Sequence, residues 1–381
     1  MAPPASELLV HHDAIRANAA HFAASTDGRL MAVIKADAFG HGHERVARVV
    51  LDAGASWLGV ASSEEALALR AGGIDAPILS WLNAPDADFS AAVAADVDLA
   101  VPSAAVLGAV SRAAAQLGRR ARVHLHIDLG MAREGCPREG WSALCELARE
   151  LQLQGSVRVV GIMGHLSCAE IPGHPQSRLE RQRFVNAVLA ARRRRLSPNV
   201  VHLAATAATV TGDGAGFGLH RIGAGLFGID PSGSSTSLRP ALSLVTRVVG
   251  SREVEAGTGV GYGLDHVAEA RTNLALLPLG YADGVPRAAS GRAEVLVRGR
   301  RRPLVGRFSM DMVVVDTGGE RVRPGEPVTV FGPGDAGEPT VAEWAGWAGT
   351  IEHELVTRVG ARVARVHRAD APAGSSLGRT A

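Results

Sequence analysis

Eight short apolar runs punctuate the first two-thirds of the chain, at 30–34, 57–61, 77–81, 98–101, 123–128, 157–165, 200–204 and 219–222. Between them lie Ala- and Leu-rich stretches whose apolar residues recur at helical spacing, as at 63–71 and 104–117. The runs are apolar on both faces rather than alternating. Strands of that kind are buried on both sides, which happens in parallel sheets covered by helices. Eight βα units in about 200 residues point to an N-terminal (β/α)8 TIM-type barrel more than to an open sheet. A hydrophobic fraction of 46% is enough to fill such a core.

The pattern changes after Pro231. The polar stretch 232–237 reads as a linker, and beyond it come short runs at 244–249, 273–278, 293–297, 303–306, 312–315 and 328–331, separated by Gly, Pro and Asp. Closely spaced strands with turns predict a second, mostly β domain. The expected organisation is a barrel over 10–231 and a C-terminal β domain over 238–368. An N-terminal strand near 7–10 is expected to join the second domain, and 369–381 reads as a disordered tail.

The net charge of +2 is too small for the broad basic field of a nucleic-acid binder. The one dense basic run, Arg192 to Arg195, suits a helix C-terminus. No apolar run reaches membrane-spanning length and the first residues lack a signal-peptide pattern, so no membrane partner is expected. Cys136, Cys145 and Cys168 are odd in number and lack metal-ligand spacing, which fits a reducing, cytoplasmic location. No metal site is expected: His41, His43 and Glu44 follow a Gly-rich turn, His124 and His126 share a strand face for packing or hydrogen bonding, and His353 reads as part of a solvated charged face.

Of the 40 Lys and Arg residues, Lys35 is the only lysine. Arginine serves a solvated surface as well as lysine does, but only lysine offers an amine that can lose its proton and attack a carbonyl. Lys35 directly follows the first apolar run, at the carboxyl end of a barrel strand, where catalytic groups of such barrels collect. Burial there would lower its pKa and free the amine for a Schiff base. Arg133 follows the fifth run, His165 ends the sixth, Thr206 follows the seventh and Arg221 lies in the eighth. The stretch from Arg221 through Gly223 and Ala224 to Gly225 can offer unhindered backbone N–H groups to a phosphate. An amine, a phosphate cradle and a cation for a ring nitrogen suggest pyridoxal phosphate.

The motifs that carry a family resemblance are Val33-Ile34-Lys35-Ala36-Asp37-Ala38-Phe39-Gly40-His41-Gly42, Asp128-Leu129-Gly130-Met131-Ala132-Arg133, Gly164-His165 and the segment from His220 to Gly228. Gly261-Tyr262-Gly263, Gly280-Tyr281-Ala282-Asp283-Gly284 and the segment from Gly306 to Asp311 continue the series. In order and spacing these resemble the alanine racemases, fold-type III pyridoxal-phosphate enzymes, over residues 7–368, with the chain read as a divergent member. The resemblance implies an isomerase that interconverts L- and D-alanine, or a similarly small amino acid, by a two-base mechanism. Lys35 would hold the cofactor and act on one face of Cα, and Tyr262, from the partner subunit of a homodimer with shared active sites, would act on the other. His165 and Arg221 would favour the Tyr262 phenolate, and Arg221 would face the ring nitrogen. Arg133 and the Met310 backbone N–H would meet the substrate carboxylate, and Arg133 would also contact the cofactor. From its place beside the Asp283 turn, Tyr281 reads either as lining the substrate entrance or as packing.

Several positions depart from the family pattern. Phe39 and Ala361 stand where tyrosines would reach the phosphate, Ala205 replaces an Asn, and His126 occupies the place of a lysine that braces the equivalent of Arg133. Two lost hydroxyls would weaken the hold on the cofactor, and Ala361 would leave room for a larger side chain. The alternatives are another fold-type III enzyme, a broad-specificity racemase or a decarboxylase, or a non-catalytic cofactor carrier. Decarboxylases of this fold usually carry a cysteine motif in the second domain, which here has none.

Overall fold

The structure is a computed structural model that describes residues 5–235 and 237–368. The expected tail at 369–381 lies outside the described residues. The described residues divide into two compact units, one within 15–38 and 42–238, the other within 5–14, 39–41 and 239–368.

The first unit is a ring of eight parallel strands, Leu30–Val33, Trp57–Val60, Ile78–Ser80, Asp98–Val101, Ala121–His126, Val157–Met163, Val200–His202 and His220–Ile222. Each coincides with one of the eight apolar runs. Leu30–Val33 pairs with both the second and the eighth strand. The last gap, between the seventh and eighth strands, is narrowed by the Arg221 N–H to Ala204 O and Gly218 N–H to Val201 O bonds, at 3.0 and 2.9 Å. Inside the ring Met31, Leu79, Ala100, Met163 and Leu219 form a core cluster against the half-buried Trp57 and Trp81. One strand position has to be glycine. A Cβ on Gly161 would lie 2.3 Å from the His124 ring, so the bare backbone there is what admits that imidazole.

In the second unit a nine-stranded sheet runs in the order Gly250–Val254, Thr272–Leu277, Val313–Gly318, Arg300–Val305, Glu294–Val297, Pro327–Phe331, Leu242–Arg247, Ser6–His11, Ala364–Arg368. Ser6–His11 lies antiparallel to Leu242–Arg247 and parallel to Ala364–Arg368. Two helices, Val341–Ala348 and Glu352–Arg358, accompany the sheet. Thr340 and Glu343 form a reciprocal capping box that starts the first of them. His353 is not on a fully solvated face: it is partly buried, with its ring 6.1 Å from that of Phe39.

The turn after Lys35 runs against L-residue stereochemistry. Lys35–Gly40 is helical, yet Ala36, Asp37, Ala38 and Phe39 have φ of 53°, 52°, 53° and 56°, and Gly40 follows at 80°. The turn is therefore left-handed, at a cost of about 1–2 kcal/mol for each L-residue in it. Hydrogen bonds offset the strain: Ala38 N–H to Ile34 O and Gly42 N–H to Asp37 O, both 2.9 Å, and Ala36 N–H to Glu65 Oε1, 2.6 Å. Asp37 Oδ1 also accepts the His43 backbone N–H at 2.8 Å.

Replacing Ala36 by glycine is expected not to lower stability, and to raise it by up to about 1 kcal/mol, because glycine carries no penalty at positive φ. The same change at exposed Ala20, inside the right-handed helix His12–Ser25, should cost about 1 kcal/mol. Urea unfolding of the two variants should show these opposite signs.

Candidate active site

Five of the residues singled out from the sequence meet at the carboxyl ends of the barrel strands. Lys35 follows the first strand, Arg133 the fifth and His165 the sixth; Thr206 opens the short helix Thr206–Val210 after the seventh, and Arg221 is the middle residue of the eighth. Lys35 reaches solvent, but its surroundings push the amine below the ordinary lysine value. Burial is the larger cause, the charge of Arg133 acts in the same direction, and Glu65 opposes both.

Arg221 is 5% exposed, so its guanidinium needs partners within the protein. Nη1 donates to His202 Nδ1 and His202 O at 3.0 and 2.9 Å. Nη2 donates to Gly164 O, Leu203 O and His165 Nδ1 at 2.7, 3.1 and 3.2 Å. These bonds occupy both terminal nitrogens. Among the described residues Nε has no hydrogen-bond acceptor, and it is the donor left over for a ligand.

Behind Arg221 runs a buried polar chain that sequence reasoning did not assemble. His202 Nε2 meets His124 Nδ1 at 2.8 Å, and His124 Nε2 meets Asp98 Oδ2 at 3.0 Å. Arg122 also bonds Asp98, through Nε and Nη2. A guanidinium only donates, so His202 Nδ1 accepts from Arg221 and the His202 proton sits on Nε2. That proton goes to His124 Nδ1, and the His124 Nε2 proton goes to the carboxylate. Every donor therefore points from Arg221 towards Asp98. Burial works against ionisation of Asp98, but the hydrogen bonds from His124 and Arg122 and the charge of Arg122 outweigh it and hold the carboxyl below its usual value. His124 thus hydrogen-bonds, as its strand position suggested, whereas Asp98 and His202 carried no local signal.

The same positive neighbourhood keeps the other imidazoles neutral. His165 is pushed down to about 3, first by burial and then by Arg221, Arg133, His126 and Lys35. His126 is pushed down to about 4 by burial, Arg221 and Arg133, with Asp128 opposing, and its buried Nδ1 has no hydrogen-bond partner among the described residues. Because His165 Nδ1 accepts from Arg221, its proton lies on Nε2. His165 is therefore available as a neutral donor through Nε2 and not as a cation. The loop that carries Arg133 is shaped by Asp128, whose Oδ1 accepts the N–H groups of Gly130, Met131 and Ala132 at 2.9, 3.1 and 3.3 Å. Thr206 Oγ1 accepts from Gly223 N and Gly225 N, each at 3.3 Å, which ties the turn containing Ala224 to the end of the seventh strand.

In the second unit Tyr262 stands at the tip of a small ribbon between Gly259–Val260 and His266–Val267. It is 70% exposed and flanked by Gly261 and Gly263 at φ 74° and 76°. Met310 and Tyr281 are neighbours: Tyr281 N–H bonds Ser309 O at 3.1 Å and Ala282 N–H bonds Met310 O at 3.0 Å. A Cβ on Gly280 would lie 2.2 Å from Met310 O, so only glycine allows that approach. Asp283 is a turn former, bonding Gly280 N–H at 2.8 Å, and it is also half of an ion pair with Arg362, which reaches on to Asp311.

The barrel-end residues fit pyridoxal phosphate. They offer one amine of lowered basicity, a buried guanidinium with one N–H unspent, and a hydroxyl beside glycine N–H groups. Among the described residues no cluster of His, Cys, Asp and Glu could hold a metal ion, and no helix is long and apolar enough to cross a membrane.

Comparison with known proteins agrees with this chemistry. Residues 10–231 match the sequence family described as alanine racemase, N-terminal domain, and residues 241–367 match alanine racemase, C-terminal domain. The chain is 45% identical over 363 residues to an alanine racemase of Frankia casuarinae, covering 94% of each chain. It is 44% identical to that of Thermobifida fusca, covering 95% of this chain and 98% of the relative. The structure superposes on the alanine racemase from D-cycloserine-producing Streptomyces lavendulae with a TM-score of 0.94 at 40% identity, covering 97% of this chain and 99% of that one. At such identities the chain is not especially divergent, which corrects the expectation drawn from its substitutions.

The neutral imidazoles make stability fall in acid. An unfolded histidine takes a proton near 6.5, whereas folded His126 and His165 resist protonation down to about 4 and about 3. Between those limits the unfolded state binds more protons, and each such histidine costs up to about 1.4 kcal/mol per pH unit of acidification. Asp98, with its pKa depressed, adds its own loss only at still lower pH, below the usual carboxylate value. Urea unfolding at pH 7 and 4.5 should show a clear loss for the native chain and a smaller loss for His126→Asn. Equal losses would remove His126 from this account.

Proposed function

The chain belongs to the alanine racemase family, and from that premise we propose that it interconverts L- and D-alanine with Lys35 and Tyr262 as acid–base groups on opposite faces of the substrate Cα. The observation that carries this reading is the setting of the only lysine. Its amine is held below ordinary basicity, within electrostatic reach of Arg133 and His165, in the same strand-end cluster as Arg221.

Bound pyridoxal phosphate supplies an electron-withdrawing ring that makes the substrate α-proton acidic. Lys35 would hold the cofactor between turnovers, Thr206 with the backbone at Gly223 and Ala224 would hold its phosphate, and the unspent Nε–H of Arg221 would serve its ring nitrogen. An arginine stays protonated and only donates, so it would leave that nitrogen without a proton. Arg133 and the Met310 N–H bind the substrate carboxylate and orient Cα, and Tyr281 lines the entrance. The freed Lys35 amine takes or returns the α-proton on one face, and the Tyr262 phenol does so on the other. Inversion needs both faces served, since a single base would return the proton to the side it came from.

Tyr262 and Met310 are 70% and 53% exposed on the single chain, which suits residues supplied to a second copy in a homodimer with shared active sites. A small amino acid is the substrate, neither nucleic acid nor membrane is a partner, and the three free cysteines suit the reducing cytoplasm.

Incubation with cofactor and L-alanine in D₂O should give α-deuterated alanine of both hands. Exchange without inversion would sink the two-base reading. Lys35→Ala should lose the visible absorption of lysine-bound cofactor and all racemisation. Tyr262→Phe should keep that absorption while racemisation falls by about 10²–10⁴-fold. It should still exchange the α-proton of one enantiomer and not the other.

A further inference from the structure

The helix Ser63–Ala71 opens with Ser62 accepting the Glu65 N–H, the first half of a capping box. In the usual box the Glu65 carboxylate would turn back to the Ser62 N–H. It does otherwise here. Oε1 accepts the Ala36 N–H at 2.6 Å and Oε2 accepts the Ala61 N–H at 2.8 Å. Ala36 and Ala61 lie just beyond two adjacent parallel strands, Leu30–Val33 and Trp57–Val60. The ladder between those strands ends with the Ile34 N–H to Gly59 O bond at 2.9 Å, and the next chain contact is through Glu65. The Ala36 N–H belongs to the peptide bond that follows Lys35, at the entrance to the left-handed turn. Whatever holds that N–H fixes the plane from which the Lys35 side chain departs.

We propose that Glu65 is a positioning residue for Lys35: it clamps the Lys35–Ala36 peptide at the strand ends and places a negative charge beside the amine. The proposal rests on the reading of Lys35 as the point of cofactor attachment. In the barrel unit the charged and titratable groups around the amine are Arg133, Glu65 and His165. Arg133 and burial favour the neutral amine, and Glu65 favours the ammonium. Glu65 therefore sets how far basicity falls as well as where the amine points. A clamp with only a structural task would affect stability and leave the titration of the lysine alone.

The single lysine makes the test clean. The full-length chain is mixed with pyridoxal 5′-phosphate across a pH series, reduced with borohydride, and the modified peptide is quantified by mass. In the native chain the label should fall on Lys35; its absence there would overturn the attachment reading itself, before any variant is compared. Glu65→Gln removes the charge, so the attachment midpoint should move down by about one pH unit. Attachment above that midpoint should slow by about tenfold, because misplaced reacting groups lose rate steeply. Glu65→Asp keeps the charge but is too short to span both N–H groups, so its midpoint should stay near the native one while its rate falls. A lowered melting temperature in Glu65→Gln with native midpoint and rate would overturn the proposal. Amide exchange in the native chain is independent of whether the variants fold. The Ala36 and Ala61 N–H groups should exchange slowly and that of Asp37 fast, and equal exchange would overturn the clamp.

Discussion

A guanidinium closed inside a barrel needs partners within the protein, and much of this site follows from how they are supplied to Arg221. Its four terminal N–H groups take up the carbonyl oxygens of Gly164, His202 and Leu203 and the rings of His165 and His202. Those residues lie at the ends of the sixth and seventh strands, so one side chain of the eighth strand ties together the carboxyl ends of both. The nearest carboxylate on the polar chain, Asp98, is two imidazoles away. An adjacent carboxylate would cancel the positive charge before a ligand could feel it. Spacing the counter-ion by two imidazoles leaves Arg221 effective as a donor.

The barrel was legible in the sequence because parallel strands with both faces buried leave apolar runs that periodicity cannot mistake for surface. Gly250–Val254 and Ala364–Arg368 were not read, because they are the two edge strands of their sheet and carry Arg, Glu or His among half-exposed positions. The helix Val341–Ala348 is short and interrupted by Gly346, which hid it in a region read as β. Lys35 stood out by chemistry, being the only residue of its kind. Asp98, His202 and Glu65 did not, because their roles exist only across neighbouring strands, with partners 26 to 78 residues away in the chain. A glutamate three residues after a serine reads as a helix cap, and only the fold reveals where its carboxylate goes.

The left-handed turn was also invisible, since Ala-Asp-Ala-Phe holds no glycine to betray a positive φ. Four residues are held in a conformation they would leave if released, by a carboxylate on one side and backbone bonds on the other. Strain of this kind persists only where the surroundings over-determine it, and it falls here immediately after the proposed reactive amine.

That turn also reverses the usual relation between backbone and chirality. Positive φ is the native territory of D-residues, for which the right-handed helix is the strained one. A chain assembled by chemical synthesis with D-alanine at exposed position 36 would relax one link of the segment. A molecule assigned to the making of mirror-image alanine thus contains, one residue after its lysine, a place where its own product would be the more comfortable building block.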